Sequence, residues 1–186
     1  MALTESTMLP LGTRCPDFDL PDVVGGRTVQ RAEFDGEPLL VCFICAHCPY
    51  VQHINKGLAQ LGADYEFEPV AIVAISSNSV GINPDDSPEG LREQAFREGF
   101  LFPYLYDETQ QVARGFHAAC TPEFYLFDAE HKLAYRGQFD DSRPENKIPV
   151  TGSDVRNAID ALLAGAPVGA EQKPGIGCNI KWKERE

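Results

Sequence analysis

The stretch FICAHCPYV, residues 43–51, holds two cysteines separated by two residues. A histidine lies between Cys45 and Cys48, and a proline follows them. This CxxC pattern is typical of three different things: a redox dithiol, half of a metal site, or two buried structural cysteines. The elements on either side of the pattern help to separate these roles.

The residues that flank the CxxC predict a strand followed by a helix. The run PLLVCFIC, residues 38–45, is short, continuous and apolar, as in a strand buried on both faces. Over residues 49–65, apolar side chains recur every three or four positions, which predicts one face of a helix. The CxxC is therefore predicted at a strand-to-helix junction.

The rest of the chain predicts further elements around this junction. Residues 15–30 predict a β-hairpin that turns at Gly25-Gly26, and residues 69–76 predict a second buried strand. The other predicted elements are a helix that Ser87 caps and Gly99 ends, a short helix capped by Asp107 and ending near Gly115, strands 123–128 and 132–138 joined as a hairpin, and a helix that Ser153 caps and that runs to Leu163 before Gly165.

The order of these elements predicts an α/β fold. The β-α-β start implies parallel central strands with a right-handed crossover, and the late hairpin adds antiparallel strands. We therefore expect a mixed sheet with helices on both faces. Residues 1–165 are assigned to one domain and residues 166–186 to a C-terminal tail packed on it.

Composition restricts the classes of function. The chain has 186 residues, of which 43% are hydrophobic, which suits one domain with a sizeable core. A formal net charge of −12 repels phosphate backbones and anionic membranes, so we expect no nucleic-acid and no membrane partner. The start MALTESTMLPLG lacks the features of a signal peptide. We expect a cytoplasmic protein whose six cysteines are mostly reduced.

The junction gives the cysteines a chemical reason to react. A helix N-terminus presents unpaired N–H groups and the positive end of the helix dipole, which stabilise a thiolate. We expect Cys45 to be the exposed nucleophile and Cys48, one turn into the helix, to resolve the mixed disulfide by closing a ring with it. His47 adds a polar or positive group that favours the thiolate and so makes the disulfide more oxidising.

The chain resembles thioredoxin-fold proteins in having a CxxC at this junction and, much later, Thr121-Pro122 at the start of a strand. The resemblance implies that Pro122 is a cis-proline facing the CxxC and that Thr121 contacts peptide backbone or substrate. The segments CPDFDLPD, FPYLYDETQ, TPEFYLFD and GCNIKW resemble the peroxiredoxin-like branch of the redoxins, the alkyl hydroperoxide reductase/thiol-specific antioxidant-related group. The implied fold is a thioredoxin-like three-layer α/β/α sandwich with a central mixed sheet and an N-terminal β-hairpin.

The chain departs from both groups at the site itself. Peroxiredoxins carry proline and Thr/Ser seven and three residues before the peroxidatic cysteine. If that cysteine is Cys48, these positions hold Val41 and Cys45. Thioredoxins carry a tryptophan before the CxxC, where this chain has Ile44. Because function follows the site rather than the fold, we predict a thiol–disulfide oxidoreductase that uses Cys45 and Cys48.

Two alternatives remain open from the sequence. The first is a thiol peroxidase with Cys48 peroxidatic and Cys45 or Cys120 resolving. Peroxiredoxins use an arginine near the thiolate; Arg114, Arg136 and Arg143 are candidates, and none is assigned because none lies in a motif that matches. The second is a metal-binding carrier in which the CxxC thiols and a histidine hold zinc or copper, His53 being better placed than His47. For the oxidoreductase we expect no cofactor, a protein or small-molecule thiol or disulfide as substrate, and a dithiol reductant. The resemblance also implies a homodimer as a possible oligomeric state, since peroxiredoxin-like proteins often dimerise.

Some residues outside the CxxC also bear on the site. Cys120 lies two residues before Pro122 and is a candidate extra resolving thiol, with a packed loop cysteine as the alternative. Cys178 lies in the tail with the only tryptophan, Trp182. Either a flexible tail brings Cys178 to the site or Trp182 pins the tail to the body, and we expect pinning. The polar loop 76–90 leaves the end of a central strand, where α/β sites gather, and is predicted to form a rim or lid.

Overall fold

A five-stranded mixed sheet forms the centre of the structure, a computed structural model that describes residues 3–183. Its strands, in spatial order, are β6 (Tyr104–Tyr106), β5 (Ala71–Ser76), β4 (Leu39–Phe43), β8 (Glu123–Phe127) and β9 (Leu133–Gly137). β4 pairs in parallel with β5, and β5 with β6, whereas β8 and β9 join antiparallel. The predicted mixed sheet is confirmed.

Helices cover one face of this sheet, and a helix with a hairpin covers the other. The first face carries α1 (Pro49–Asp64), α2 (Pro88–Glu98) and α4 (Ser153–Leu163); the second carries α3 (Gln111–Gly115) and the hairpin of β2 (Asp19–Pro21) and β3 (Thr28–Gln30). Side chains along β4 alternate between the two cores, as strand geometry requires. The predicted three-layer, thioredoxin-like arrangement with its N-terminal hairpin is therefore confirmed.

The C-terminal segment forms a strand of a second sheet. β10 (Ile176–Asn179) lies between β1 (Leu3–Glu5) and β7 (Cys120–Thr121) and pairs antiparallel with both. Sequence patterns predict none of these three strands, because two to four residues are too few to show a period. The predicted pinning contact is also present, since the guanidinium of Arg114 lies 4.4 Å above the Trp182 ring. In the described part of the chain, no helix is both long and apolar enough to span a bilayer.

The helix ends follow the sequence at α2 and differ at α4. The Ser87 side chain accepts a hydrogen bond from the Gly90 amide, and Gly99 closes α2 with a left-handed φ of 78°. At α4, Ser153 does not cap. It is the first helical residue, and the preceding Gly152 has a left-handed φ of 67°. The Asp140 carboxylate accepts the Gly152 amide, so a remote side chain holds the start of this helix where no local side chain caps it.

α3 begins later than predicted. It starts at Gln111, whereas the expected cap, Asp107, lies four residues earlier. The Asp107 carboxylate still accepts the Ala113 amide at 2.9 Å, so it serves an amide of this helix from outside the cap position.

Candidate active site

The CxxC lies where β4 leads into α1. Cys45 comes two residues after the strand, and Cys48 is the N-cap residue of α1, with extended backbone angles of φ −73° and ψ 123°. The prediction that Cys48 lies one turn inside the helix is therefore wrong. Pro49 explains the difference: its fixed φ and missing N–H favour it as the first helical residue, so the helix begins there.

Neither cysteine is exposed. Cys45 and Cys48 each have 0% relative exposure, so the prediction of an exposed Cys45 nucleophile is wrong. Ala46 and His47 are half-buried and Pro49 is exposed, so the turn of the CxxC reaches the surface while its sulfurs do not. Any reagent that reacts with either sulfur therefore has to displace covering side chains first.

Thr121 contacts both sulfurs. Its Oγ1 lies 3.3 Å from the Cys45 Sγ, and its carbonyl oxygen lies 3.3 Å from the Cys48 Sγ. The peptide bond between Thr121 and Pro122 is cis. The structure thus brings four of the predicted site residues together, with Thr121 bridging the two thiols.

The thiol that contacts the pair from outside the CxxC is Cys178 rather than Cys120. The Cys178 Sγ lies 2.8 Å from the Cys48 Sγ. Cys120 precedes Thr121 in β7, so its side chain points to the opposite side of the strand. Its sulfur lies 3.9 Å from a Glu123 carboxylate oxygen and 3.9 Å from the Gly175 carbonyl oxygen. These contacts favour the packed cysteine that the sequence left as the alternative.

Asp86 holds the turn of the CxxC from the loop between β5 and α2. Its side chain is fully buried, and its Oδ1 accepts the amides of Ala46 and His47 at 2.8 and 3.1 Å. Its Oδ2 accepts the Asn78 side-chain amide at 2.9 Å and lies 2.5 Å from the His47 Nδ1. The loop predicted as a rim or lid is therefore a buried wall at this point.

A second buried network holds the backbone of Cys45. The Gln94 side-chain amide donates to the Cys45 carbonyl oxygen and to the Asn55 side chain, each at 3.2 Å. The Tyr104 hydroxyl donates in turn to the Gln94 Oε1 at 3.0 Å. Since buried polar groups are costly to leave unpaired, this network fixes the position of Cys45 from α1, α2 and β6 together.

The two thiols have opposite shifts in pKa. Burial, a hydrogen bond with Cys48 and the negative charge of Asp86 raise the pKa of Cys45 well above its usual value. Hydrogen bonds from Cys178, from Cys45 and from the Val51 amide lower the pKa of Cys48 well below it, against the effect of burial. The thiolate that we expected at Cys45 is therefore favoured at Cys48.

The environment of His47 also differs from the prediction. We expected a polar or positive group that favours the thiolate. Instead, His47 faces the carboxylate of Asp86, whose charge opposes a thiolate at Cys45. Among residues 3–183, the buried Nε2 of His47 has no hydrogen-bond partner.

Three side chains could hold a metal ion at this place. One ligand atom each of Cys45, His47 and Asp86 lie within 4.8 Å of one another. Both Asp86 oxygens already accept protein donors, which weakens the carboxylate as a ligand. His53, which the sequence favoured over His47, lines a small cavity beside Pro122 and is not part of this group.

The arginines that peroxide chemistry would need have other partners. Arg114 lies over Trp182, and Arg136 donates to the Leu9 carbonyl oxygen and the Gln172 side chain. Arg143 donates to the Asp140 and Ser142 carbonyl oxygens and to the Gln138 side chain. The sequence assigned none of these three to the site, and their observed partners agree with that.

The fold and the site together define a thioredoxin-like redoxin. Residues 11–136 match the AhpC/TSA family, and the chain belongs to that family. A solved structure of an uncharacterized conserved protein from Geobacillus kaustophilus is 50% identical, covers 100% of this chain and 99% of its own, and superposes with a TM-score of 0.97.

Named relatives divide between two kinds of redox protein. A Mycobacterium tuberculosis protein with peroxiredoxin in its name is 28% identical over 123 residues, which are 66% of this chain and 73% of that one. The thiol-disulfide oxidoreductase ResA of Geobacillus thermodenitrificans is 25% identical over 130 residues, 70% of each chain. The chain is thus similar to both kinds of protein. The choice between the two activities therefore depends on the geometry of its own thiols.

Sequence reasoning missed Asp86 and Gln94 and left Cys178 open. A signal existed for Asp86, because the loop that carries it leaves the carboxyl end of β5, the edge at which α/β sites form. Gln94 gave no signal, since a glutamine on a helix is usually solvated. For Cys178, the signal was a cysteine beside the lone tryptophan of the tail.

Proposed function

We propose that this protein is a thiol–disulfide oxidoreductase whose Cys45–Cys48 pair alternates between dithiol and disulfide. The observation that carries the proposal is the double contact of Thr121 with both sulfurs, directly before Pro122. One residue thereby holds the two thiols side by side at a helix N-terminus. The groups around the two thiols place the negative charge of the reduced pair on Cys48.

The shifts in pKa indicate the order of the steps in thiol–disulfide exchange. The Cys48 thiolate attacks a substrate disulfide, a new bond joins its sulfur to one substrate sulfur, and the other leaves as a thiolate that takes a proton. Cys45 then gives up its proton and attacks the Cys48 sulfur. The Cys45–Cys48 disulfide forms, and the second substrate thiol is released. The substrate is reduced by two electrons, and a dithiol protein or small thiol returns them.

The stabilised thiolate also indicates the redox character of the pair. A charge held at Cys48 favours the reduced form, because the disulfide has no such charge to stabilise. We expect a midpoint potential less negative than the roughly −270 mV of thioredoxin. Such a pair stays mainly reduced in a reducing compartment such as the cytoplasm, and accepts electrons readily from other dithiols.

A redox titration tests the proposal. The protein is equilibrated in glutathione buffers, its thiols are trapped with a maleimide, and the tryptic peptide 32–56, which carries Cys42, Cys45 and Cys48, is read by mass spectrometry. A reversible two-electron couple between Cys45 and Cys48 supports the oxidoreductase. Absence of any Cys45–Cys48 disulfide across the full range of buffers contradicts it.

A thiol peroxidase is the second candidate, and the lowered pKa of Cys48 favours it. Val41 and Cys45, at the usual proline and Thr/Ser positions, count against it, as do the other partners of the three arginines. Stopped-flow oxidation by hydrogen peroxide separates the two. Fast formation of a sulfenate at Cys48, ahead of any exchange with glutathione, would favour the peroxidase.

A metal carrier is tested at the same time by the metal content of protein purified without added metal. One equivalent of zinc or copper that is lost in His47→Ala would favour the carrier over the oxidoreductase. Metal-free protein with a working thiol couple supports the oxidoreductase.

A further inference from the structure

Cys178 approaches the CxxC more closely than unbonded atoms normally do. Its sulfur lies 2.8 Å from that of Cys48, whereas unbonded carbon atoms, which are smaller than sulfur, prefer roughly 3.5–4.0 Å. Two thiolates that share a tetrahedral zinc, with Zn–S bonds of about 2.3 Å, would stand about 3.8 Å apart. The separation is therefore shorter than either packing or metal sharing gives. It is a close hydrogen-bonded contact between two thiols, and it places the two sulfurs where a bond between them can form.

The backbone fixes this approach. In the β7–β10 ladder, Cys178 pairs with Thr121, the residue that contacts both CxxC sulfurs. Beside it, a Cβ added to Gly177 would stand 2.0 Å from the Thr121 carbonyl oxygen, so only glycine lets β10 come this near. Farther along, the Ile180 amide donates to the Ala119 carbonyl oxygen at 3.1 Å. Cys178 is thus held at the site by a strand ladder and not by a loose tail.

We infer that Cys178 is a third redox thiol of this site, which forms a disulfide with Cys48 as an alternative to the Cys45–Cys48 disulfide. The inference rests on the proposed function, because the substrate disulfide of that reaction is the oxidant. It goes beyond that function by giving the central sulfur, Cys48, two resolving partners, Cys45 from its own turn and Cys178 from β10.

The transfer between the two disulfides balances without any added reagent. Cys178 gives up its proton and attacks the Cys48 sulfur of the Cys45–Cys48 disulfide. The Cys48–Cys178 bond forms, the Cys45–Cys48 bond breaks, and Cys45 leaves as a thiolate that takes up a proton. The protein stays oxidised by two electrons throughout. By the same attack, Cys178 releases a substrate held as a mixed disulfide on Cys48, even where Cys45 is absent.

Variants that lack Cys45 test the third thiol directly. Cys45→Ser is oxidised with glutathione disulfide, quenched in acid and digested with trypsin. A cross-link between peptides 32–56 and 157–181, located at Cys48 and Cys178 by fragmentation, is expected in most molecules. The double variants Cys45→Ser/Cys178→Ser and Cys45→Ser/Cys178→Ala should lack it and keep glutathione on Cys48 at least tenfold longer.

Cys120 supplies the matched control, since it is equally buried and lies in the strand that pairs with β10. Cys45→Ser/Cys120→Ser should give the same cross-link yield as Cys45→Ser. Equal lifetimes of the glutathione adduct with and without Cys178, or a cross-link to Cys120 in place of Cys178, would overturn the inference.

The outcomes also separate this inference from the proposed function. A wild-type Cys45–Cys48 couple without the Cys48–Cys178 cross-link in Cys45→Ser removes the third thiol and leaves the oxidoreductase. The cross-link without a wild-type Cys45–Cys48 couple removes the proposed pair and leaves Cys178 as the partner of Cys48.

Discussion

Cys45 and Cys48 belong to the same turn, yet the two sides of the site treat them differently. The loop side, which comprises Asp86 and the buried residues around it, meets Cys45 with a negative charge. The strand side, which comprises β7 and β10, meets Cys48 with the thiol of Cys178. Two cysteines of the same turn thus have pKa values that shift in opposite directions.

The difference teaches that the asymmetry of a dithiol is set from outside its own motif. The helix N-terminus is common to both thiols and lies closer to Cys48, the N-cap residue. Asp86 and Cys178 come from distant segments, and each shifts the pKa of one of the two thiols. Removing the charge of Asp86 should therefore alter Cys45 and spare Cys48, and displacing Cys178 should do the reverse.

Loss of the central sulfur should have the largest effect. Cys48→Ser should reduce disulfide reductase activity to background, because Cys48 is a member of both proposed disulfides. Thiolate absorbance near 240 nm at pH 6 should disappear as well, since the lowered pKa places the charge on Cys48. Cys45→Ser should retain the absorbance. If the thiolate signal is lost in Cys45→Ser instead, the two sides have been assigned in reverse.

The same shift gives stability a direction with pH. A thiol whose pKa is lower in the folded than in the unfolded state contributes stability that is complete above the unfolded value of about 8.5 and is lost as pH falls through the folded value. The free energy of unfolding of wild type should therefore exceed that of Cys48→Ser by a margin that grows from acidic pH to about 8.5. A margin that shrinks over this window would contradict the lowered pKa.

Asp86→Ala should be the next largest change. It leaves two backbone amides, the Asn78 amide and the His47 ring without their buried partner, at an expected cost of about 2–4 kcal/mol in the free energy of unfolding. Asp86→Asn keeps the shape and removes the charge, so the pKa of Cys45 should fall. Chemical denaturation measures the first, and the pH dependence of Cys45 alkylation in a Cys48→Ser background measures the second.

The neighbouring Asp85 is exposed and serves as the control for Asp86. Asp85→Asn should change neither stability nor the alkylation profile beyond the small effect of a surface charge. A matching shift in both variants would mean that general surface charge, and not the buried carboxylate, acts on Cys45.

Gly177→Ala should act on the strand side alone. The added Cβ meets the Thr121 carbonyl oxygen, so β10 has to move away from β7, at about 1–3 kcal/mol. The yield of the Cys48–Cys178 cross-link should drop. Gly169→Ala is the control from the same segment, because its Cβ would have nothing within 4 Å. Equal stability and cross-link yield in the two variants would show that the close approach is not needed.

Thr121→Val should have the smallest effect. Valine keeps the branched shape and removes the Oγ1 contact with Cys45, a hydrogen bond worth about 0.5–1.5 kcal/mol. That contact lowers the pKa of Cys45, so its loss should raise the pKa further and slow Cys45 alkylation a few-fold near pH 9. Thr28→Val, on an exposed strand position, is the control. Faster alkylation in Thr121→Val would contradict a contact that stabilises the Cys45 thiolate.

The fold could be predicted from local patterns because its main elements carry them. Residues 38–45 show a buried strand and residues 49–65 an amphipathic face, and both elements appear where expected. Short strands such as β10 could not be predicted, since their pairing partners and not their own residues define them.

The location of the site could be predicted from the sequence, but the charge state and exposure of its thiols could not. The junction gave Cys45 and Cys48, and the resemblance gave Thr121 and Pro122. The position of the negative charge within the dithiol depends on two long-range contacts. One joins residues that are 39 positions apart in the chain and the other joins residues that are 130 positions apart, and no local pattern encodes either. The wrong prediction of an exposed Cys45 has the same origin, because the residues that cover it come from other segments.

The position of β10 also has a consequence for biosynthesis. The partner that sets the charge of Cys48 follows it by 130 residues, and β10 closes a sheet with the N-terminal strand β1. At about 5–20 residues per second, translation of that interval takes about 7–26 s. Until then the nascent chain lacks the hydrogen bond from Cys178, the largest of the contacts that lower the pKa of Cys48. The full stabilisation of the Cys48 thiolate thus has to wait for β10, and its appearance can report that β10 has paired with β7.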